Sequence, residues 1–308
     1  MKTLIVGTGG VGGFYGGLLA KSGNDVTFVA RGDHYKEIKE SGLHIKSVVG
    51  DFTVKPARVI SSVSEAVDPD LILLCVKSYD TQIVSKDLAS VVKQDTVVLS
   101  LQNGIDNDEI IQKHLNAGIV VPGIAYIISE RKAPGLIEQT AGPRTIIFGR
   151  RDKKYQDELN NVAKIMRNAG IEASNSAEIE KELWIKFLWI ITFAGMTSLF
   201  RSPIGPIVSN PETMSIYTSC LDEAFSVAKA LKINVGKQEY ESIIQKSEKY
   251  KTIGSNSKSS MLVDIENHRQ TEIESLHGKL CKLAKEAGVA VPINEIIYHV
   301  VRFTHSSG

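Results

Sequence analysis

The chain has 308 residues, 43% hydrophobic and 23% charged, with a formal net charge of +1, which fits a soluble globular protein of about two domains. A near-neutral charge gives no support for nucleic acid or a membrane as partner, since either would show as a basic face or block. Three widely spaced cysteines, Cys75, Cys220 and Cys281, match neither a disulfide framework nor a zinc site and read as reduced thiols of a cytoplasmic protein. No signal peptide is expected, and no stretch reaches the roughly eighteen apolar residues of a membrane span. The seven histidines lack metal-ligand spacing, so no metal is expected, and His44, His114 and His299 read as surface or partly packed residues.

The chain opens on an apolar strand, Thr3 to Val6, that runs into Gly7, Gly9 and Gly12 in the G-x-G-x-x-G spacing, with helix-compatible sequence over residues 11–22. In a dinucleotide-binding turn the first glycine permits the sharp exit from the strand. The second lets pyrophosphate approach backbone, and the third lets helix and strand pack closely. The free N–H groups of the helix start, here around Thr8, Gly9, Gly10 and Val11, then face an anion. The next strand covers residues 25–30 and ends at Arg31, where an NAD enzyme would place an acid on the ribose. An arginine there can pair with a 2′-phosphate, which favours NADPH over NADH; the alternative is a solvated surface arginine. Asp33 reads as the N-cap of a helix beginning near His34.

Strands near residues 70–76 and 96–101 and helices near 78–92 and 105–116 continue the alternation and predict a doubly wound parallel sheet. β-rich segments at 118–129, 135–140 and 144–149 extend it, some of them antiparallel, and a helix at 153–169 and a short strand, Ile171 to Ser174, close a domain spanning residues 1–176. From 177 to 308 long helices, broken at Pro203, Pro211, Gly254 and Pro292, predict an all-helical second domain. The sequence leaves the oligomeric state open, with apolar helices here able to support a homodimer.

Ligands of open α/β sheets bind beyond the carboxyl ends of the strands, so Lys77-Ser78 and Gln102-Asn103-Gly104 join the glycine loop as candidates in a cleft between domains. Lys77 also reads as an exposed lysine starting a helix, and Asn103 as a turn residue before glycine. In the second domain Lys186 lies inside the apolar run KELWIKFLWIITFAGMTSLF. A lysine there either has a lowered pKa suited to proton donation or forms an i, i+4 ion pair with Glu182. Residues 257–280 add the carboxylates Glu272 and Glu274 and the hydroxyls of Ser259 and Ser260 at a helix start.

Taken together, GTGGVGGFYGG, LLCVKSYDT, LSLQNGI, the E-L-W-I-K helix and the block SSMLVDI…RQTEIE followed by AGVAVP resemble the 2-dehydropantoate 2-reductase (ketopantoate reductase) family over almost the whole chain. The resemblance implies a Rossmann-type domain followed by an all-α domain like the C-terminal domain of 6-phosphogluconate dehydrogenase. It also implies NADPH as cofactor and a small-molecule 2-oxo acid, ketopantoate, reduced to its hydroxy acid on the way to pantothenate. Lys186 matches the family's catalytic lysine, Glu272 its supporting acid and Ser260 a substrate-contacting serine. Asn103 and Lys77 match residues between nicotinamide and substrate. Three positions depart from the family pattern: Ile190, Ala194 and Ser257 stand where asparagines are usual. Two other readings stay open on that account: a reductase of a less polar 2-oxo acid or ketone, and a dinucleotide-binding sensor without catalysis.

Overall fold

A computed structural model describes residues 1–306, and the chain divides into two compact units, Met1–Ile179 and the chain from Glu180 on. The first unit opens with β1 (Lys2–Val6), α1 (Gly10–Lys21), β2 (Asp25–Val29) and α2 (Gly32–Ser41). Three short strands follow, β3 (Leu43–Ser47), β4 (Phe52–Val54) and β5 (Arg58–Ile60). Then come β6 (Leu71–Leu74), α3 (Thr81–Leu88), β7 (Val97–Ser100) and α4 (Asn107–Gln112). The unit closes with the long strands β8 (Ile119–Ala133) and β9 (Leu136–Phe148), α5 (Gln156–Asn168) and β10 (Glu172–Asn175).

These strands form one sheet of order β4-β3-β9-β8-β7-β6-β1-β2-β5, with β10 beside β9. From β5 to β8 all neighbours are parallel, β9 runs antiparallel to β8, and β10 is parallel to β9. Parallel strands are covered on both faces, which is why LILL is a continuous apolar run and VVLS is apolar up to Ser100, with every position of both buried. Alternate residues feed opposite faces. Ile5, Phe28, Leu73 and Leu99 pack with Phe14 and Leu19 of α1, while Leu4, Val6, Ile72 and Val98 pack with Val84 and Leu88 of α3. Each such side chain contributes about 1.5–3 kcal/mol by leaving water. Chain order reverses at β1, which has β2 on one side and β6 on the other. That switch point is where an open α/β sheet forms its ligand crevice.

The second unit holds α6 (Ile179–Phe200), α7 (Ile204–Ser209), α8 (Pro211–Ala230), α9 (Lys237–Glu248), α10 (Ser260–Glu266), α11 (Lys279–Ala287) and α12 (Pro292–Ser306), with no strand among its described residues. The expected breaks sit at helix boundaries: Pro203 caps α7, Pro211 starts α8 behind the side-chain cap of Asn210, and Pro292 starts α12. α6 corrects one sequence expectation. By length and composition it could cross a membrane, its single inner lysine being too little to disqualify it. Its apolar window is 67% buried inside the fold, which marks the core helix of a helical domain.

Candidate active site

The N-terminal unit builds an anion cradle from the end of β1. Gly7 turns with φ +98°, and a Cβ there would lie 2.7 Å from the carbonyl carbon of Cys75, so only glycine fits. A Cβ on Gly12 would meet the Gly7 carbonyl at 2.3 Å. Gly9, the residue preceding α1, is different: a Cβ there would meet no atom within 4 Å. The middle glycine therefore faces open space at an uncapped helix start, with no side chain accepting from the N–H groups that follow. That is the shape a pyrophosphate needs, and a side chain on Gly9 would fill it.

Two side chains hold this loop in place. The Thr8 hydroxyl donates to the Val29 carbonyl at 2.8 Å, tying the loop to β2. The buried ring of His34 lies 2.7 Å from the Thr8 carbonyl through Nε2, while its Nδ1 accepts from the Gly135 N–H at 2.9 Å. These partners assign the neutral Nε2–H tautomer, and burial lowers the pKa of the ring, opposed by the hydrogen bond to Thr8. Sequence reading passed over His34. Its only signal was a histidine close behind the second strand, and both its partners are backbone groups far away in the chain.

Arg31 is exposed and occupies the N-cap position of α2, with extended backbone. It stands at the end of β2 as expected. Asp33 does not cap the helix: α2 begins at Gly32, so Asp33 lies in the first turn, where it pairs with Lys36 at 3.3 Å. Gly32 adopts φ +58°, which starts the helix earlier than the acidic residue suggested. After β6 and β7 a hydrogen-bonded chain gathers the other candidates. Gln102 donates to the Thr81 hydroxyl at 2.7 Å and to the Lys77 carbonyl at 3.4 Å, Thr81 donates to Asn107 at 3.2 Å, and Asn107 donates to the Asn103 carbonyl at 2.9 Å. Lys77 and Asn103 are thus half-buried residues on two loops of one network at the carboxyl edge of the sheet.

In the C-terminal unit the cluster is assembled around α6. The Thr197 hydroxyl donates to Ser259 at 2.8 Å, and Ser259 in turn accepts from the Leu262 N–H at 3.0 Å, so α6 is stapled to the start of α10. Ser260, the first residue of α10, is exposed there, and Ser257 just before it is half-buried. Beyond α10 the chain makes a π-helical turn, Glu274–Gly278, of the kind that recurs at functional sites. Its His277 is fully buried and packs against Gly195 of α6 so closely that a Cβ on Gly195 would meet its Nε2 at 2.1 Å. Burial pushes the pKa of His277 down to about 3, so the ring is neutral.

This packing buries Glu272, 5% exposed, and brings its charge to bear on Lys186. Burial pulls the lysine down to about 8. The Glu272 carboxylate opposes that shift, and the Lys246 ammonium of α9 adds to it. The carboxylate felt by Lys186 is thus Glu272, from far along the chain, and not the neighbour at i−4 that the sequence offered. Ile190 and Ala194, four and eight residues on from Lys186, fall on the same side of α6; Ile190 is half-buried and Ala194 buried. Sequence reading missed Lys246, one lysine of a polar helix whose position only the fold reveals.

A glycine cradle at a sheet switch point, followed by a helical unit with a lysine of lowered pKa beside a buried glutamate, defines a dinucleotide-dependent oxidoreductase. The comparisons agree. A family model described as "Ketopantoate reductase PanE/ApbA" matches residues 3–153, and "Ketopantoate reductase PanE/ApbA C terminal" matches residues 178–305. The chain belongs to this family. It is 31% identical to the Uncharacterized oxidoreductase YkpB of Bacillus subtilis, over 97% of each chain, and 28% identical to the 2-dehydropantoate 2-reductase of Halobacterium salinarum, over 100% of each. Among solved structures, a PanE/ApbA family ketopantoate reductase from Ralstonia eutropha superposes with a TM-score of 0.91 at 26% identity, covering 100% of this chain and 99% of the other. A D-mandelate dehydrogenase in complex with NADH and anilino(oxo)acetate superposes with a TM-score of 0.89 at 25% identity, with the same coverage.

Proposed function

We propose that the protein is an NADPH-dependent reductase of a small 2-oxo acid, with 2-dehydropantoate, reduced to pantoate, as its first candidate substrate. The observation that carries this reading is the pairing of Lys186, drawn down to about 8, with the buried Glu272. A reduced nicotinamide supplies a hydride when bound. The backbone N–H groups of Gly9, Gly10 and Val11 would hold its pyrophosphate, and Arg31 would pair with a 2′-phosphate. Lys77 and Asn103, on two loops of one hydrogen-bonded network, would lie between nicotinamide and substrate. As the carbonyl carbon accepts hydride, the electron pair of the C=O bond moves to oxygen. The Lys186 ammonium stabilises that charge and passes its proton from Nζ to the oxygen, then regains one from water. Glu272 keeps the ammonium charged and receives the substrate hydroxyl as it forms, while Ser260 orients the substrate.

A second reading is favoured by Ile190 and Ala194, which place methyl and butyl groups where the family usually presents amides. A polar substituent facing them would lose partners at about 1–3 kcal/mol each, so a less polar 2-oxo acid suits this chain better. Oxidation of NADPH measured against a panel of 2-oxo acids that includes 2-dehydropantoate separates the two. Turnover of 2-dehydropantoate with kcat/KM of about 10⁴ M⁻¹s⁻¹ or more supports the first reading. Slow turnover of it beside faster turnover of apolar acids supports the second. Absence of any oxo-acid-dependent oxidation would contradict both.

A further inference from the structure

The hairpin of β8 and β9 carries its charges differently on its two faces. Ser129, Glu130 and Arg131 pair in register with Gln139, Glu138 and Ile137, and paired residues of an antiparallel ladder share a face. One face therefore shows Glu130, Lys132 and Glu138, whose charges satisfy one another: the Lys132 ammonium lies 2.7 Å from Glu130 and 3.5 Å from Glu138. The other face shows Ser129, Arg131, Ile137 and Gln139, and it is the one that packs on α1. Ile137 is fully buried, and a Cβ on Gly13 would lie 2.7 Å from its Cγ1. A Cβ on Gly10, the first residue of α1, would run into the Ser129 carbonyl oxygen. Arg131 thus stands two residues beyond the point where β8 abuts the anion cradle, on the side facing α1. It is exposed, and its side chain makes no hydrogen bond or ion pair among the described residues. Burial is the main cause of the lowered pKa of His34, and the Arg131 guanidinium adds to it, so this charge reaches the ring that holds the Thr8 carbonyl.

We propose that Arg131 is a second arginine of the dinucleotide site, supplied by the hairpin of β8 and β9 to pair with a phosphate of the bound dinucleotide. The inference rests on the reading of the glycine loop as a dinucleotide cradle, and it adds a binding residue from a distant part of the chain. Charge balance favours it. Each phosphate of the pyrophosphate carries a negative charge, and a 2′-phosphate adds more, whereas a helix start offers only the equivalent of about half a positive charge. Arg31 is one cation at this edge of the sheet, and Arg131 is another. A guanidinium presents a planar fork of donors that matches phosphate oxygens, and it stays charged at every working pH. The contrast between the hairpin faces separates this arginine from an ordinary surface residue. Lys132 is neutralised by carboxylates of its own hairpin, while Arg131, beside an uncapped helix start, keeps its charge and its donors for an anion.

The test is fluorescence titration of the full chain with NADPH and with NADH, comparing the wild type with Arg131→Ala, Arg131→Lys and Lys132→Ala. In Arg131→Ala the Kd for NADPH should rise about 10- to 100-fold, the range for lost hydrogen bonds to a charged group. Arg131→Lys should recover part of that loss, and Lys132→Ala, on the other face, should stay within about twofold of the wild type. A rise of equal size for NADH assigns Arg131 to the pyrophosphate, and a rise confined to NADPH assigns it to the 2′-phosphate; either supports the proposal. Unchanged Kd for both dinucleotides, or a change no larger than that of Lys132→Ala, would overturn it. His34→Ala supplies a second check. In that background Arg131→Ala should weaken NADPH by the same factor as before, whereas loss of the effect would show that the arginine acts through the ring and touches no phosphate. Should Arg131→Ala fold poorly by circular dichroism, Arg131→Gln takes its place. A wild type that binds neither dinucleotide would remove the cradle reading together with the proposal, while a wild type that binds both, beside an Arg131→Ala that binds equally well, would remove the proposal alone.

Discussion

At the glycine loop, conformation is held by short hydrogen bonds between neutral groups: Thr8 to Val29, His34 to the Thr8 carbonyl, and Gly135 to His34. At Lys186 the controlling terms are burial and two charges of opposite sign, Glu272 and Lys246, carried by other elements. The contrast follows from the two tasks. Holding an anion requires backbone N–H groups fixed in one shape, so the loop is built for rigidity. Giving up a proton requires an acid whose pKa lies near the working pH, so the helix is built for tuning. Substitutions in the first region should therefore change affinity for the dinucleotide. Those in the second should change turnover and its pH dependence.

The largest effect is expected at Lys186. Lys186→Ala should lower kcat by roughly 10²- to 10⁴-fold, the contribution of a positioned general acid, with dinucleotide affinity measured by fluorescence titration left unchanged. Near-normal turnover would return the residue to a structural role and erase the contrast. Next comes Gly9→Val, whose Cβ enters open space: thermal stability should change little, while dinucleotide Kd rises by about tenfold or more because the side chain fills the phosphate cradle. Gly12→Ala is the internal control, since its Cβ collides with the Gly7 carbonyl and should lower Tm.

His34→Ala should weaken dinucleotide binding by about 1–3 kcal/mol, because the Thr8 carbonyl and the Gly135 N–H both lose a partner. An unaltered Kd would show that the loop holds its shape without the ring. The most selective effect belongs to Arg31. Arg31→Ala should weaken NADPH by about 1–3 kcal/mol and leave NADH almost unchanged, whereas equal losses would make Arg31 a surface residue only.

The parts legible in the sequence were those written in local pattern. The glycine spacing, the parallel strands LILL and VVLS and the proline-punctuated helices follow from backbone sterics and burial over a few residues. The short strands β3, β4 and β5 escaped because LHIKS, FTV and RVI span only three to five residues, too few for alternation to stand out from the surrounding chain. The two segments at 135–140 and 144–149 proved to be one strand, β9, because the Gly142-Pro143 that reads as a turn lies within the irregular β8–β9 ladder. In the site, Lys186 stood out as a lysine inside an apolar run and Glu272 and Ser260 as candidates among several polar residues, while the role of each came through the family resemblance. Lys246 and His34 depend on contacts between distant elements, and no spacing in one chain encodes those. The local pattern alone could not say which carboxylate acts on Lys186, since Glu182 at i−4 was the nearby competitor; the resemblance pointed to Glu272.

The claim most open to direct test is that Lys186 donates the proton and that Glu272 tunes it. The ammonium donates, so kcat for oxo-acid reduction should be constant at neutral pH and fall as pH rises through about 8, where burial has brought the lysine. Glu272 favours the charged form, so Glu272→Gln must move that falling limb to lower pH. Lys246 disfavours it, so Lys246→Met must move the limb to higher pH. The decisive measurement is kcat against pH, at saturating NADPH and oxo acid, for the wild type and Glu272→Gln. A limb near pH 8 that shifts to acid in the variant is expected; a profile flat to pH 10 or beyond, or a limb unmoved by the loss of Glu272, would contradict the account.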